Sequence, residues 1–189
     1  MSSLEKPDWS KVAKPHDDGA ANHLQGSRLP SISLPATDGA EIDLGALEGL
    51  GVIYIYPMTG RPDTPLPDGW DLIPGARGCT PQSCSFRDHK QELKDLGVEF
   101  IFGLSTQPTA YQKEAVERLH LPFSLLSDEN LAFQKALNLP RFTVDGMTLI
   151  KRMSFIVRDG LIVKVFYPVF PPDQDAENII HFLKTGQAS

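Results

Sequence analysis

Cysteine is scarce in this chain, with two among 189 residues. A disulfide-stapled scaffold needs several bridges, so that class is excluded. Positive charge is in deficit: 18 Lys and Arg stand against 24 Asp and Glu, a formal charge of −6. That balance argues against a nucleic-acid binder built on a broad basic surface. Long apolar runs are missing. The longest, residues 49–56, is far too short to span a bilayer, and no membrane partner is expected. The opening MSSLEKPDWSK lacks the apolar run of a secretory signal, so the expected location is cytoplasmic. There is no internal repeat and no low-complexity tract.

What is present is an ordinary globular composition, 41% hydrophobic and 22% charged, at the size of one domain with an appendage. Residues 1–28 are polar, without an apolar period. Pro7, Pro15, Asp17, Asp18 and Gly19 interrupt every helical start. An N-terminal arm, weakly ordered or draped on the surface, is expected there, with the domain proper over 29–189. Ser31 to Leu34 alternates like a short strand, and Asp38-Gly39 marks a turn before Glu41-Ile42-Asp43-Leu44. Residues 51–56 are largely β-branched and aromatic, which suits a central strand buried on both faces.

Residues 57–78 carry prolines at 57, 62, 65, 67 and 74 and glycines at 60, 69, 75 and 78, which leaves no room for a helix or strand. A loop of this length inside a domain is often functional, and this one delivers the chain to Cys79. A helix is expected over 80–96, with Phe86, Leu93 and Leu96 on one face and Gly97 as its stop. A buried strand follows at 98–104. Helices are expected at 108–119 and, with Asp128 as N-cap, at 128–137. Strands at 150–157 and 161–167 flank the hairpin signal Asp159-Gly160. A closing helix over 173–184 turns Ile179, Ile180 and Leu183 inward. Early βαβ alternation followed by a hairpin implies a mixed central β-sheet flanked by helices, an α/β, thioredoxin-like fold.

Both cysteines fall in Gly78-Cys79-Thr80-Pro81-Gln82-Ser83-Cys84. Cys79 stands where a loop meets a helix start, and the free amides and macrodipole there favour thiolate over thiol. Cys84 lies five residues on, inside the same helix. Their α-carbons are then separated by about 7.5 Å along the axis alone, whereas a disulfide tolerates only about 4.4–6.8 Å. Cross-linking the pair therefore requires the first turns to unwind. The plainer reading is two unrelated thiols, one capping a helix and one buried as a small hydrophobe. A zinc site is disfavoured, because two cysteines need two further ligands and the histidines at 16, 23, 89, 120 and 181 do not cluster.

Four segments resemble those of peroxiredoxins: Tyr56-Pro57; Gly78-Cys79-Thr80-Pro81-Gln82-Ser83-Cys84-Ser85-Phe86-Arg87-Asp88; Leu125-Leu126-Ser127-Asp128-Glu129; and Arg152-Met153-Ser154-Phe155-Ile156. They occur in the family's order over residues 29–167, and the likeness is to the peroxiredoxin Q, or bacterioferritin comigratory protein, subgroup. The resemblance implies that Cys79 is the peroxidatic cysteine, Cys84 the resolving one, and Arg152 the arginine that holds thiolate and peroxide. It implies that amides of Gly78 and Cys79 orient the peroxide. It implies no metal, flavin or haem, a peroxide as substrate, and thioredoxin or glutaredoxin as reductant of a monomer or dimer.

One position departs from the family. Three residues before the cysteine a Thr or Ser is expected, and here Ala76 stands in Pro74-Gly75-Ala76-Arg77-Gly78-Cys79. The family proline corresponds to Pro57, displaced by an inserted loop over 58–74. Either Thr59, Thr64 or Thr80 replaces the hydroxyl, or Arg77 compensates with charge, or peroxidase activity is weak. Gly78, Ala76, Thr80 and Arg77 are therefore the candidate substrate-contacting residues. Arg87-Asp88 reads as a surface pair that also supports the site, and Trp70 as a lid, a partner surface or a packing anchor. His89, His120 and the Glu114, Glu117, Arg118 group read as solvated. The expected function is a thiol peroxidase cycling through a Cys79–Cys84 disulfide. Its rivals are a thiol–disulfide oxidoreductase, disfavoured by four rather than two intervening residues, and a redox-regulated binding module.

Overall fold

The structure is a computed structural model and describes residues 7–186. A short antiparallel pair, β1 (Ser33–Pro35) and β2 (Glu41–Asp43), precedes the central strand β3 (Leu50–Ile55). Beyond the long loop come α1 (Cys79–Asp88), α2 (Lys90–Asp95), β4 (Phe100–Ser105), α3 (Thr109–Leu119), β5 (Leu125–Ser127) and α4 (Ala132–Leu137). Two hairpins come next, β6 (Arg141–Val144) with β7 (Met147–Ile150) and β8 (Met153–Arg158) with β9 (Leu161–Phe166), and α5 (Asp175–Thr185) closes the chain. The five-stranded sheet runs β5-β4-β3-β8-β9. Its first three strands are parallel, as the βαβ alternation requires, and β8 and β9 add to β3 antiparallel.

Alternation along β3 builds the two core layers. Val52, Tyr54 and Tyr56 point to one face and Ile53 and Ile55 to the other, all of them sealed from solvent. The first face packs under α1, α3 and α5 and holds Cys79 and Phe86, with Tyr54 stacked on Phe86 at 4.5 Å. Strand register brings two distant chain segments together. Ile55 pairs with Met153, so the chain leaves β3 beside the point where Arg152 enters β8.

Four features differ from the sequence expectation. The core begins before Leu29: Ala21 and Leu24 are buried in it, and the amide of Gly26 donates to Ile162 O at 2.8 Å. Residues 7–28 of the expected arm are thus pinned at several points, while its first six residues lie outside the described range. The helix expected over 80–96 is two helices that break at His89, where Ser85 O accepts from the backbone amide at 3.1 Å and also meets the imidazole Nδ1 at 2.8 Å. Asp128 does cap α4, but from four residues ahead of its start, accepting from the amides of Phe133 and Gln134. A second hairpin, β6–β7, turns on Asp145-Gly146 with the same positive φ pair as Asp159-Gly160 (48° and 75°, against 50° and 75°).

The loop over 57–78 is irregular apart from one 3-10 turn, Trp70–Leu72. It is not loose. Trp70 is buried with Met58, Ala76 and Leu149 in a third apolar cluster, and its ring lies against Phe142. Of the roles open to Trp70, packing anchor is the one its burial shows.

Candidate active site

Cys79 is the first residue of α1, capped by Gly78 at a φ of 112°. A Cβ at Gly78 would lie 2.6 Å from Pro172 Cγ and 2.8 Å from the Trp9 ring, so both backbone conformation and crowding call for glycine. The Cys79 side chain is almost wholly buried, at 3% exposure, and its sulfur has three polar neighbours. Arg152 Nη2 donates to Sγ at 3.3 Å, the Met58 amide donates at 3.4 Å, and the thiol itself faces Ala76 O at 3.6 Å. A guanidinium and a backbone amide thus aim two donors at one sulfur.

Arg152 is itself held through both terminal nitrogens, while its buried Nε has no hydrogen-bond partner among the described residues. Its Nη2 reaches the carbonyls of Gly75, Ala76 and Arg77 at 3.1–3.2 Å, and Nη1 donates to Gln82 Oε1. Gln82 Nε2 in turn donates to Asp175 Oδ2 at 2.7 Å, where Ser154 Oγ also donates at 2.5 Å. All of Gln82, Ser154 and Asp175 are buried. Burial pushes the Asp175 carboxyl up to about 6, an effect that its bonds from Ser154 and Gln82 and the charge of Arg152 only partly offset.

The residues proposed from sequence divide into two groups. Cys79, Ala76 and Arg152 meet at the sulfur, Ala76 through its carbonyl, because its methyl belongs to the apolar cluster of Met58, Trp70 and Leu149, and Gly78 adjoins them as the N-cap of α1. That cluster gives an apolar side chain at position 76 a place to pack. Arg77 also gives its carbonyl to Arg152, while its guanidinium turns away to Asp71 at 2.7 and 2.9 Å. Of the replacement hydroxyls, Thr59 donates to Gln107 Oε1 at 3.2 Å and Thr64 to Asp63 on the exposed loop. Thr80 lines the cleft in the second position of α1. The donor found at the sulfur in addition to Arg152 is the Met58 amide, which side-chain reasoning had no means of finding. Gln82, Ser154 and Asp175 were also missed from sequence.

Cys84 is half-buried in the same helix and opens onto the same cleft as Cys79. Burial pushes its thiol up, against a smaller opposing effect of the Arg87 cation. Arg87 pairs with Asp88 at 2.8 Å and donates to Leu119 O at 2.7 Å. The cleft has a volume of about 640 Å³, and its lining includes the apolar side chains of Met58, Leu66 and Trp70 and the cations Arg61 and Arg118. Among the described residues no group of three or more His, Cys, Asp or Glu is placed to hold a metal.

The pattern of the Redoxin family matches residues 24–180. Peroxiredoxin Q, chloroplastic, of Oryza sativa subsp. japonica is 29% identical over 192 residues, covering 98% of this chain and 80% of that protein. Peroxidoxin BcpB of Mycobacterium tuberculosis superposes with a TM-score of 0.70 at 23% identity, over 88% of this chain and all of that one. The bacterioferritin comigratory protein of Xanthomonas campestris, whose structures bear on its alkyl peroxide reduction activity, superposes at 0.65 with 18% identity, over 93% and 98% of the two chains. These likenesses carry the thioredoxin-like fold.

Proposed function

The chain belongs to the Redoxin family, and we propose from that membership that it is a thiol-dependent peroxidase whose nucleophile is Cys79. The observation that carries the reading is the buried Cys79 sulfur with Arg152 Nη2 at 3.3 Å and the Met58 amide at 3.4 Å, on the floor of a cleft that also reaches Cys84. The thiolate attacks one peroxide oxygen, the O–O bond breaks, and the departing oxygen takes a proton to leave as water or an alcohol. Arg152 is placed to meet charge on that oxygen as it develops. Cys79 is left as a sulfenic acid. Cys84 then attacks its sulfur and expels water, so the two thiols end as one disulfide.

Both cysteines are in α1, so this second step needs the first turns of the helix to open. An external dithiol reduces the disulfide. Thioredoxin or glutaredoxin suits that role, as each presents a reactive dithiol to an exposed disulfide. The cleft volume accommodates organic hydroperoxides as well as hydrogen peroxide, in keeping with the alkyl peroxide reduction named for the Xanthomonas protein. A cytoplasmic setting belongs to the proposal, since a cycle that ends in dithiol reduction suits a reducing compartment. It works as a monomer or a dimer, since the cycle draws both thiols from one chain.

The test is to mix reduced protein with one equivalent of hydrogen peroxide and follow thiol loss and intact mass. Wild type is expected to lose two thiols rapidly, Cys84→Ser to accumulate a sulfenic acid, and Cys79→Ser not to react. Reaction no faster than that of free cysteine would overturn the reading.

A further inference from the structure

We propose that Asp175 is a positioning residue for this reaction, holding Gln82 so that Gln82 in turn aims Arg152 at the Cys79 sulfur. The inference rests on the peroxidase reading and deepens it. Four residues from three separate parts of the chain, α1, the entry to β8 and the start of α5, form one line: Cys79 Sγ accepts from Arg152 Nη2, Arg152 Nη1 donates to Gln82 Oε1, and Gln82 Nε2 donates to Asp175 Oδ2.

A carboxamide presents an acceptor at one end and donors at the other, and its two orientations differ by a flip. Arg152 can only donate, and an ionised Asp175 can only accept. One orientation satisfies both, and it is the one that offers oxygen to the guanidinium. Asp175 is anchored independently of Gln82: Ser154 Oγ, projecting from β8, donates to the same Oδ2. The carboxylate therefore fastens α1, which carries Gln82, to the β8 and α5 framework that carries Ser154 and Asp175. Without that acceptor the buried Gln82 NH₂ group loses its partner and turns away to find another. Arg152 Nη1 is then released, and the guanidinium keeps only its carbonyl contacts and its bond to sulfur to fix its tilt.

Asp175 hydrogen-bonds Gln82 and Ser154, not Cys79 or Arg152, and it is not among the residues that line the Cys79 cleft. Its other oxygen, Oδ1, is buried and without a hydrogen-bond partner. An asparagine can place its single carbonyl oxygen where Oδ2 now stands. The neutral replacement therefore preserves the acceptor, while leucine removes it at similar size.

The experiment measures the second-order rate of Cys79 oxidation by hydrogen peroxide, in stopped flow, for wild type, Asp175→Asn, Asp175→Leu, Asp175→Ala, Gln82→Leu and the Asp175→Leu/Gln82→Leu double variant. Asp175→Leu and Asp175→Ala are expected to be about tenfold slow, and Asp175→Asn to stay within about threefold of wild type. The double variant is expected to be no slower than the slower single one, because the two residues act in series. Additive losses, an asparagine variant as slow as the leucine one, or a leucine variant at the wild-type rate would each overturn the proposal.

If neither the leucine nor the alanine variant folds, the side-chain ¹⁵N–¹H₂ resonances of Gln82 decide. They are expected to shift as Asp175 titrates in wild type and to hold still in Asp175→Asn; no shift in wild type would overturn it. That readout needs no turnover, so it separates failure of the Asp175 link from failure of the peroxidase reading, which would show as wild type reacting no faster than free cysteine.

Discussion

Arg152 donates to the Cys79 sulfur at 3.3 Å with the same Nη2 that meets the carbonyl of Ala76 at 3.1 Å. One nitrogen thus ties the nucleophile to the loop that delivers it. The same nitrogen also reaches the carbonyls of Gly75 and Arg77, while Nη1 is held by Gln82, an arrangement that needs a planar fork with donors in fixed directions. Lysine keeps the charge and loses the fork. Arg152→Lys is expected to slow Cys79 oxidation by about 10²-fold, the size of losing one donor aimed at developing charge. Stopped-flow peroxide reduction checks it.

By its resemblance to peroxiredoxins the chain is expected to carry a hydroxyl at position 76, and the methyl of Ala76 is instead sealed against Met58, Trp70 and Leu149. Restoring the family residue is therefore expected to harm the protein. Ala76→Thr adds volume to a filled apolar cluster, at a cost of about 1–3 kcal/mol. It is expected to give no gain in peroxidase rate, since the Met58 amide already donates to the sulfur. Urea denaturation and the peroxide assay read the two halves.

Trp70 anchors the inserted loop from within the same cluster. Trp70→Ala is expected to cost about 3–5 kcal/mol. It also loosens the residue that presents the Met58 amide, so the peroxide rate is expected to fall as well. Leu72, two residues away and 79% exposed, is the control: Leu72→Ala is expected to leave both stability and rate unchanged.

Asp175 adds a pH dependence to stability. Burial lifts its carboxyl from 3.8 to about 6 in the folded protein, so between those values the native state holds a proton that the unfolded chain has released. Its contribution to stability is therefore complete below about pH 4 and is lost as pH rises through 6. The loss is on the order of 2–3 kcal/mol. Other carboxylates contribute slopes of their own, so the comparison is between wild type and Asp175→Asn. In denaturant midpoints measured from pH 4 to 8, the stability of wild type relative to Asp175→Asn is expected to fall by that amount. A constant difference across the range would refute the assignment.

The layered sheet was legible because residues 51–56 and 153–157 are dense in β-branched and aromatic side chains, and such segments bury whichever face they present. The position of Cys79 at a helix start followed from the breakers before it, and Arg152 came from the family resemblance. Gln82, Ser154 and Asp175 were illegible: each is an ordinary polar residue in its own segment, and only the pairing of β8 with β3 and the packing of α5 on α1 bring them together. Leu24 was overlooked because the few apolar residues of the arm, such as Trp9, Val12, Ala21 and Leu24, follow no period that would reveal it. Asp145-Gly146 carries the same turn signal as Asp159-Gly160, but its flanks are only four residues each, and the first, Arg141–Val144, buries none of them.

The disulfide step gives the last prediction. Cys79 and Cys84 share α1, and their α-carbons are too far apart along its axis to be bridged while the helix is intact. Oxidation must therefore break the first turns, and with them the bond of the Gln82 amide to Gly78 O at 3.0 Å and the Gln82 contacts to Arg152 and Asp175. Amide exchange over residues 79–84 is expected to rise by about tenfold or more on forming the disulfide, while β3 and β8 keep their protection. Trp9 packs over Gly78 beside Pro172, with its ring edge-on to Phe170 at 5.9 Å. Unwinding at Gly78 removes part of that contact, so tryptophan emission is expected to change on oxidation, and the change is expected to be lost or much reduced in Trp9→Phe. A disulfide that forms with α1 exchange unaltered would mean that the bond joins two molecules, one cysteine from each, which the mass of the oxidised protein under denaturing, non-reducing conditions would reveal directly.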